Sequence, residues 1–190
     1  MQLDQGEKGF SFMREGPLDM RMDPTSSLTA AEIINRWPEK KLGELLRDFG
    51  EEPRWRRAAK AIVEQRKKGP MQTTKQLATL ISSVFGRSSK KKLHPATLIF
   101  QALRICVNEE LKSLTTGITK AIDHLAPGGR LGVISFHRLE DRIVKNIFRM
   151  AASSHEDIRI VTKKPLSPSP EEAKKHPRSR SAKMRFVEWE

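Results

Sequence analysis

Cysteine is almost absent from this sequence of 190 residues, because Cys106 is the only one. One thiol can form neither an intrachain disulfide nor a cysteine cluster for zinc, so we expect a reducing compartment and no structural metal. Residues 1–6 have neither the basic region nor the apolar run of a secretory leader. No apolar stretch approaches the roughly 18 residues of a membrane helix, since Lys or Arg interrupts each hydrophobic segment. We therefore expect a soluble protein without a membrane partner.

Acidic residues are the scarcer charged class: 23 Asp and Glu stand against 36 Lys and Arg, a formal net charge of +13. This excess favours a polyanionic partner, and nucleic acid is the leading candidate. Charge that merely keeps the protein soluble is the alternative. Hydrophobic residues make up 37% of the chain, which is enough for one folded domain, or one domain with an added lobe, at this length.

The first half of the chain reads as a loop followed by helices. Residues 1–26 are rich in Gly, Pro, Met and alternating charge, which predicts a loop with little regular structure. Apolar residues then recur at helical spacing in four short segments up to residue 86. The predicted start signals are a capping box of Thr29 and Glu32, Pro38, Pro53, and Thr73 or Thr74. Four short helices in succession indicate a helical lobe.

The second half mixes helices and strands. The helical spacing that begins after His94 continues to Leu125, which predicts one long helix. Residues 131–136 are typical of a buried strand, and helical spacing follows at once; residues 158–161 and 184–189 are further predicted strands. The fold class is therefore α/β. Three strands make an incomplete sheet, so we expect an exposed apolar edge and poor solubility or association.

Several motifs resemble, in order along nearly the whole chain, the bacterial and organellar small-subunit ribosomal RNA methyltransferase H family, also called MraW. They are QLD at 2–4, GFSF at 9–12, GPLDMRMD at 16–23, FGEE at 49–52, HPAT at 94–97, FQALRI at 100–105, NEEL at 108–111, PGGRL at 127–131, SFH at 135–137, LEDRIVK at 139–145 and PRSRSAK at 177–183. Two positions depart from the family pattern, Leu98 and Arg138.

The resemblance implies an enzyme that uses S-adenosylmethionine to methylate the exocyclic N4 of a cytidine in small-subunit rRNA. It implies an incomplete Rossmann-like class I methyltransferase domain with an inserted helical lobe. Residues 1–26 then form an active-site loop region, 27–93 an RNA-binding helical insertion, and 94–190 the C-terminal part of the methyltransferase domain. The family's glycine-rich turn after a first strand is not found here, so the chain resembles only the C-terminal two-thirds of the family. Gln2 is the one cofactor contact that maps onto it.

Three residues are predicted to be catalytic: Asp19, Asp23 and His137. The N4 lone pair of cytosine is delocalised, so acceptors that hold the amino hydrogens favour a pyramidal nitrogen in the transition state. Asp19 and Asp23 lie in the opening loop, although salt bridges with Arg14 and Arg21 are the alternative interpretation. His137 follows a predicted strand, where α/β sites gather, although a histidine that caps a helix or is satisfied within the core is the alternative interpretation.

Basic clusters predict the RNA contacts, with solvation of a charged helix or loop as the alternative. The predicted RNA-binding residues are Arg21, Arg54, Arg56, Arg57, Lys60, Lys90, Lys91, Lys92, Arg178 and Arg180. The implied partner is small-subunit rRNA or the assembling small ribosomal subunit, in bacterial cytoplasm or an organellar matrix or stroma, and a homodimer is a further expectation. Two rival hypotheses stay open: a non-catalytic RNA-binding remnant, and a subunit completed by a separate polypeptide.

Overall fold

The computed structural model describes residues 6–86 and 94–190, so the predicted sites at Gln2, Lys90, Lys91 and Lys92 lie outside the described residues. The chain divides into two compact units, Met1–Glu110 and Leu111–Glu190. Over the described ranges it is a mixed α/β protein with eight α-helices and one three-stranded sheet. The α/β class is confirmed, and within those ranges no helix is long and apolar enough to cross a membrane.

The first unit is helical. Its helices are α1 (Ala30–Arg36), α2 (Glu39–Asp48), α3 (Trp55–Arg66), α4 (Thr74–Phe85) and α5 (Thr97–Val107), and a short 3-10 turn (Gly6–Lys8) precedes them. One core joins these helices to the opening loop, since Leu18 and Met20 are buried together with Ile33, Leu46 and Leu103. The predicted boundary between residues 93 and 94 does not coincide with the division between units, because α5 packs on α1 and α2.

Local start signals place the helices within one or two residues of the predicted positions. Thr29 caps α1 and accepts a hydrogen bond from the Glu32 N–H at 3.1 Å, whereas the Glu32 carboxylate lies 3.6 Å from Arg36. Thr73 caps α4 in a full capping box with Gln76. Pro38 is the residue before α2 and not its first residue. Side-chain capping is a local interaction, which is why the sequence predicted it well.

The predicted long helix is wrong, because it is two helices. α5 ends at Val107, and α6 (Glu110–Asp123) begins after Asn108 and Glu109. Glu109 has a φ of 47°, a left-handed conformation that no α-helix continues through. The apolar spacing runs across this break, so periodicity alone could not detect it.

The second unit contains the sheet. Its elements after α6 are β1 (Arg130–Ser135), α7 (Arg138–Ser154), β2 (Ile158–Ile160), α8 (Pro170–Lys175), a 3-10 turn (Pro177–Ser181) and β3 (Lys183–Trp189). The strand order is β1-β3-β2, and β3 is antiparallel to both neighbours. Strands β1 and β2 therefore run in the same direction, with α7 between them in sequence. Val187 pairs with Leu131 on one side and Ile160 on the other. Ile134 on β1 keeps 53% of its surface exposed.

A buried carboxylate, Asp141, ties α7 to β3. It accepts hydrogen bonds from Arg185 Nε at 2.7 Å and from Lys183 Nζ at 3.2 Å. Only 12% of the Asp141 side chain and 8% of the Arg185 side chain are exposed. Burial opposes ionisation, but the hydrogen bonds from Arg185 and Lys183 outweigh it and lower the pKa of Asp141 below its ordinary value. The carboxylate is therefore ionised at neutral pH.

We expect Asp141→Asn to destabilise the second unit by about 3 kcal/mol at pH 7, because it leaves the buried guanidinium of Arg185 without its counter-charge. A carboxylate with a lowered folded pKa stabilises the fold above its unfolded pKa of about 3.9. That stability is lost as the pH falls through the lower folded pKa. The difference between wild type and variant should therefore shrink below about pH 4.

Amide hydrogen exchange of β3 at pH 7 and in acid measures this effect. The exposed Asp123→Asn is the matched control, which should stay within about 0.5 kcal/mol of wild type. A difference between wild type and Asp141→Asn that stays constant down to pH 2.5 would contradict the assignment of the ionised carboxylate.

Candidate substrate-binding loop and basic surface

The opening loop, residues 9–28, is fixed to the helices of the first unit by backbone hydrogen bonds. The Leu18 N–H donates to the Gln72 carbonyl at 2.8 Å, and the Thr74 N–H donates to the Gly16 carbonyl at 2.9 Å. Gly9 has a φ of 70°, and a Cβ there would lie 1.8 Å from the Pro17 carbonyl oxygen. The loop is therefore held in one close-packed path, and its first turn requires glycine.

Asn108, at the end of α5, holds the middle of this loop. Its Nδ2 donates to the Met20 carbonyl at 2.8 Å and its Oδ1 accepts from the Met22 N–H at 2.7 Å. Nδ2 also donates to the Arg104 carbonyl at 2.9 Å. Met20 is fully buried with a φ of 62°, a left-handed conformation that costs a non-glycine residue free energy. Asn108 thus stabilises the backbone that directly follows the strained Met20.

Aromatic rings hold the beginning of the loop. The Phe12 ring stacks on His94 with ring centroids 4.5 Å apart and meets Phe100 edge-on at 5.2 Å. His94 Nδ1 accepts from the Ala96 N–H at 3.2 Å, which fixes the imidazole at the start of α5. Sequence motifs more than 80 residues apart therefore contact one another around the opening loop.

A cavity of about 540 Å³ lies between the loop and the end of α5. Its lining is Met22, Asp23, Ser26, Leu28, Cys106, Val107, Asn108 and Glu109. Asp23 is exposed, and its Oδ1 accepts from the Thr25 N–H at 2.9 Å and from the Thr25 hydroxyl at 2.7 Å. These two hydrogen bonds lower the pKa of Asp23, so the cavity presents an ionised carboxylate at neutral pH.

Asp19, the second predicted catalytic carboxylate, forms a bidentate ion pair with Arg21. Arg21 Nε and Nη2 donate to the two Asp19 oxygens at 2.7 and 2.8 Å. Arg21 Nη1 donates to the carbonyls of Pro24 and Ser26. The Arg21 hydrogen bond lowers the pKa of Asp19. This geometry matches the alternative interpretation for Asp19, in which the ion pair shapes the loop. The same contacts occupy the guanidinium of Arg21, which was predicted to bind RNA.

His137, the third predicted catalytic residue, caps α7 in the second unit. Its Nδ1 accepts from the Glu140 N–H at 3.4 Å, while the Glu140 carboxylate accepts from the Phe136 and His137 N–H groups at 2.7 and 3.1 Å. Burial raises the pKa of Glu140, but the interaction with the His137 side chain and the two backbone hydrogen bonds outweigh it and leave the pKa below its ordinary value. The capping alternative therefore has direct geometric support.

The predicted RNA-binding residues of α3 fall into two groups. Arg54 and Arg57 are engaged: Arg54 pairs with the buried Glu52 at 3.0 Å and lies 3.6 Å from the Phe85 ring centre, and Arg57 donates to the Val84 carbonyl at 2.8 Å. Arg56 and Lys60 are exposed one helical turn apart, with the Arg56 guanidinium 4.1 Å above Trp55. Arg57 is exposed as well, but its guanidinium is engaged by the Val84 carbonyl.

The remaining predicted cations lie near the C-terminus. Arg178 and Arg180 are exposed in the 3-10 turn after α8, and Arg180 Nε donates to the Ala173 carbonyl at 3.3 Å. Ser169 caps α8 and accepts from the Glu172 N–H at 3.1 Å, so a capped helix precedes this turn.

Sequence reasoning missed Asn108 as the residue that holds the loop. Asparagine at a helix end is a capping signal, and that signal predicts only local hydrogen bonds. The contact with Met20 and Met22 spans 86 to 88 residues.

Comparison with known proteins identifies similar sequences along the whole chain. The family described as the MraW methylase family matches residues 1–190. A protein of Protochlamydia amoebophila named "Ribosomal RNA small subunit methyltransferase H" is 51% identical over 98% of this chain and 64% of its own length. Proteins of the same name from Synechococcus elongatus and Thermomicrobium roseum are 50% and 47% identical over 98% of this chain, and each match covers 61% of the relative. The chain thus spans about three-fifths of the length of these curated relatives.

We expect Asn108→Ala to destabilise the opening loop by about 1–3 kcal/mol, because the Met20 carbonyl and the Met22 N–H lose their partner. Amide exchange of residues 18–23 and thermal unfolding measure the loss. The exposed Asn146→Ala is the matched control. Exchange in residues 18–23 at the wild-type rate would contradict the role of Asn108.

Proposed function

The chain belongs to the MraW methylase family, and from that premise we propose that it acts in the S-adenosylmethionine-dependent methylation of a cytidine N4 in small-subunit rRNA. The supporting observation is the identity of 47–51% over 98% of the chain to proteins named for small-subunit rRNA methylation. The proposed partner is the rRNA or the assembling small subunit, in a bacterial cytoplasm or an organellar matrix or stroma. The homodimer stays a prediction for sedimentation to test.

We further propose that the sheet is one end of a Rossmann-like methyltransferase sheet. Two observations support this. Strands β1 and β2 are parallel to each other with α7 between them in sequence, which is the βαβ unit of such sheets. Ile134 and Phe136 each keep 53% of their surface exposed at the end of β1, as expected of a sheet that further sequence would cover.

The described residues do not fit a complete pocket for S-adenosylmethionine. A nucleotide cofactor in this fold sits against a glycine-rich turn between a strand and a helix. The turn from β1 to α7 is instead closed by the capping pair His137 and Glu140, and residues 161–169 after β2 contain no glycine. We therefore propose for these residues a role in holding the RNA and the target base.

Asp23 is the strongest candidate for holding the target amine. A carboxylate at the cavity can accept the hydrogens of the cytosine N4 amine and stabilise the nitrogen as it becomes pyramidal. Asp23 lines the cavity, and Thr25 holds its Oδ1. Asp19 is already bound on both oxygens by Arg21, and the Gly16 carbonyl already accepts from Thr74. Asp19 is therefore assigned to shaping the loop, while His137 stays a prediction.

Deletion of the gene in its source organism tests the function. Nucleoside mass spectrometry of small-subunit rRNA should then find N4-methylated cytidine lost, and restored when the gene is returned. An unchanged content would overturn the proposal.

Calorimetry of the 190-residue chain with S-adenosylmethionine tests the incomplete pocket, because micromolar binding would contradict it. RNA binding by a chain whose deletion leaves methylation intact would favour the non-catalytic RNA-binding alternative.

We expect Asp23→Asn to lower the rate of methyl transfer by on the order of 10²-fold, the usual cost of removing one preorganised charge-stabilising group. The amide oxygen can still accept from Thr25, so stability should change little. Asp19→Asn should mainly lower stability, because it loosens the pair with Arg21. Methyl transfer by the gene-deletion strain carrying each variant, compared with thermal unfolding of the same variant, separates the two roles. If the Asp23→Asn variant transfers methyl groups at the wild-type rate, Asp23 does not hold the target amine.

We expect the double variant Arg56→Gln/Lys60→Gln to weaken RNA binding and to lower the slope of log affinity against log salt by about 2, one per phosphate contact. The control is Arg47→Gln/Lys67→Gln, which removes two cations that already pair with Asp48 and Glu64. Fluorescence anisotropy with an rRNA fragment at several salt concentrations measures both slopes. Equal slopes for the two double variants would contradict the assignment of this helix face to RNA.

A further inference from the structure

A basic pocket lies in the second unit, between α7 and the segment that follows β2. Its volume is about 330 Å³. Lys145 and Arg149 reach it from α7, Lys163 from the segment after β2, and Arg185 from β3. None of these cations was part of the predicted RNA surface, and the pocket shares no lining residue with the loop cavity of the first unit.

Positive charge exceeds negative charge in this pocket. Arg185 is neutralised by Asp141, which also binds Lys183. Within the described ranges, no carboxylate lies within 4 Å of the ammonium or guanidinium nitrogens of Lys145, Arg149 or Lys163. Three like charges around one pocket repel one another, and an anion that enters removes that repulsion.

The pocket is built on fixed elements. Lys145 and Arg149 are one helical turn apart on α7, beside Phe148, which is buried to 2% exposure in the core of the unit. Arg185 is 8% exposed and held by Asp141, so its guanidinium cannot fold out into solvent. Lys145 is half-buried, whereas Arg149 and Lys163 are exposed at the rim. Little conformational entropy is then lost at the floor of the pocket when an anion binds.

A hydroxyl completes the donor set. Thr162 lines the pocket, and its Oγ1 accepts from the Phe186 N–H at 2.8 Å. That bond fixes the oxygen and leaves the hydroxyl hydrogen to donate. A guanidinium, ammonium groups and a hydroxyl around one concave site are the donors that recognise a phosphate group.

We propose that this pocket binds a backbone phosphate of the RNA, as a contact separate from the basic face of α3. The identity of the ligand rests on the proposed function, which makes RNA the polyanion that the protein meets. The pocket binds through charge and hydrogen bonds to phosphate, so it contributes affinity and position and not base specificity.

The test compares Arg149→Gln and Lys163→Gln with Lys120→Gln. Each variant removes one positive charge from the second unit, and Lys120 is exposed on α6 outside the pocket. Anisotropy with an rRNA fragment across a salt series should give a slope lower by up to about 1 for either pocket variant. Lys120→Gln should keep the wild-type slope. Amide chemical shifts confirm that each variant is folded.

Inorganic pyrophosphate serves as an independent probe. It should shift the Thr162 and Phe186 amide resonances of wild type and leave those of Arg149→Gln much less changed. A pyrophosphate response with no change of RNA slope in the pocket variants would overturn the proposal, because the pocket would then serve a small anion.

The outcomes also separate this inference from the proposed function. Pocket variants with the same slope as Lys120→Gln would overturn the pocket even if gene deletion abolishes cytidine methylation. Intact methylation after deletion, with slopes lowered only in the pocket variants, would overturn the methylation and support the RNA contact.

Discussion

The opening loop depends on the amide of Asn108. Buried or partly buried backbone groups need hydrogen-bond partners, and a loop that crosses a helical core has no neighbouring strand to supply them. Asn108 donates to the Met20 carbonyl and accepts from the Met22 N–H, so its amide bridges the two backbone groups that flank Arg21. That arrangement sustains the left-handed Met20, which turns the chain so that Asp23 reaches the cavity while Asp19 meets Arg21. The chemistry proposed for Asp23 therefore rests on a residue that itself needs no contact with the substrate.

Some cations of this protein pair with buried carboxylates and serve the fold, whereas others have no such partner and are available to bind a polyanion. Glu52 engages Arg54, Asp141 engages Arg185, and Glu188 engages Arg130 and Arg159. Each of these pairs holds two elements or a helix start in place, so removing the arginine takes a counter-charge away from a buried carboxylate. The cations without such partners are the ones a polyanion can bind at little cost. The net charge of the chain therefore overstates the number of cations that are available to the proposed RNA partner.

Much of the helical architecture follows from local sequence signals, whereas the sites follow from distant contacts. Thr29 and Thr73 were predicted as caps because capping is decided within four residues. The break at Glu109 was missed because apolar spacing continues through it. Asp23 was predicted from its motif, but the distinction between Asp23 and Asp19 needed the geometry of Arg21. The pocket beside α7 joins residues 40 positions apart, Lys145 and Arg185, so no pattern along the chain could have indicated it.

The geometry of His137 bears on the prediction that it is catalytic. The cap at the start of α7 uses the lone pair of Nδ1, so in the neutral ring Nε2 carries the hydrogen. Nε2 is buried and lies 3.2 Å from a Glu140 oxygen without the geometry of a hydrogen bond. A contact with a base would therefore have to be a donation from Nε2, which requires the capping pair to open towards the ligand. Helix capping explains the histidine with the observed geometry, and catalysis requires a rearrangement.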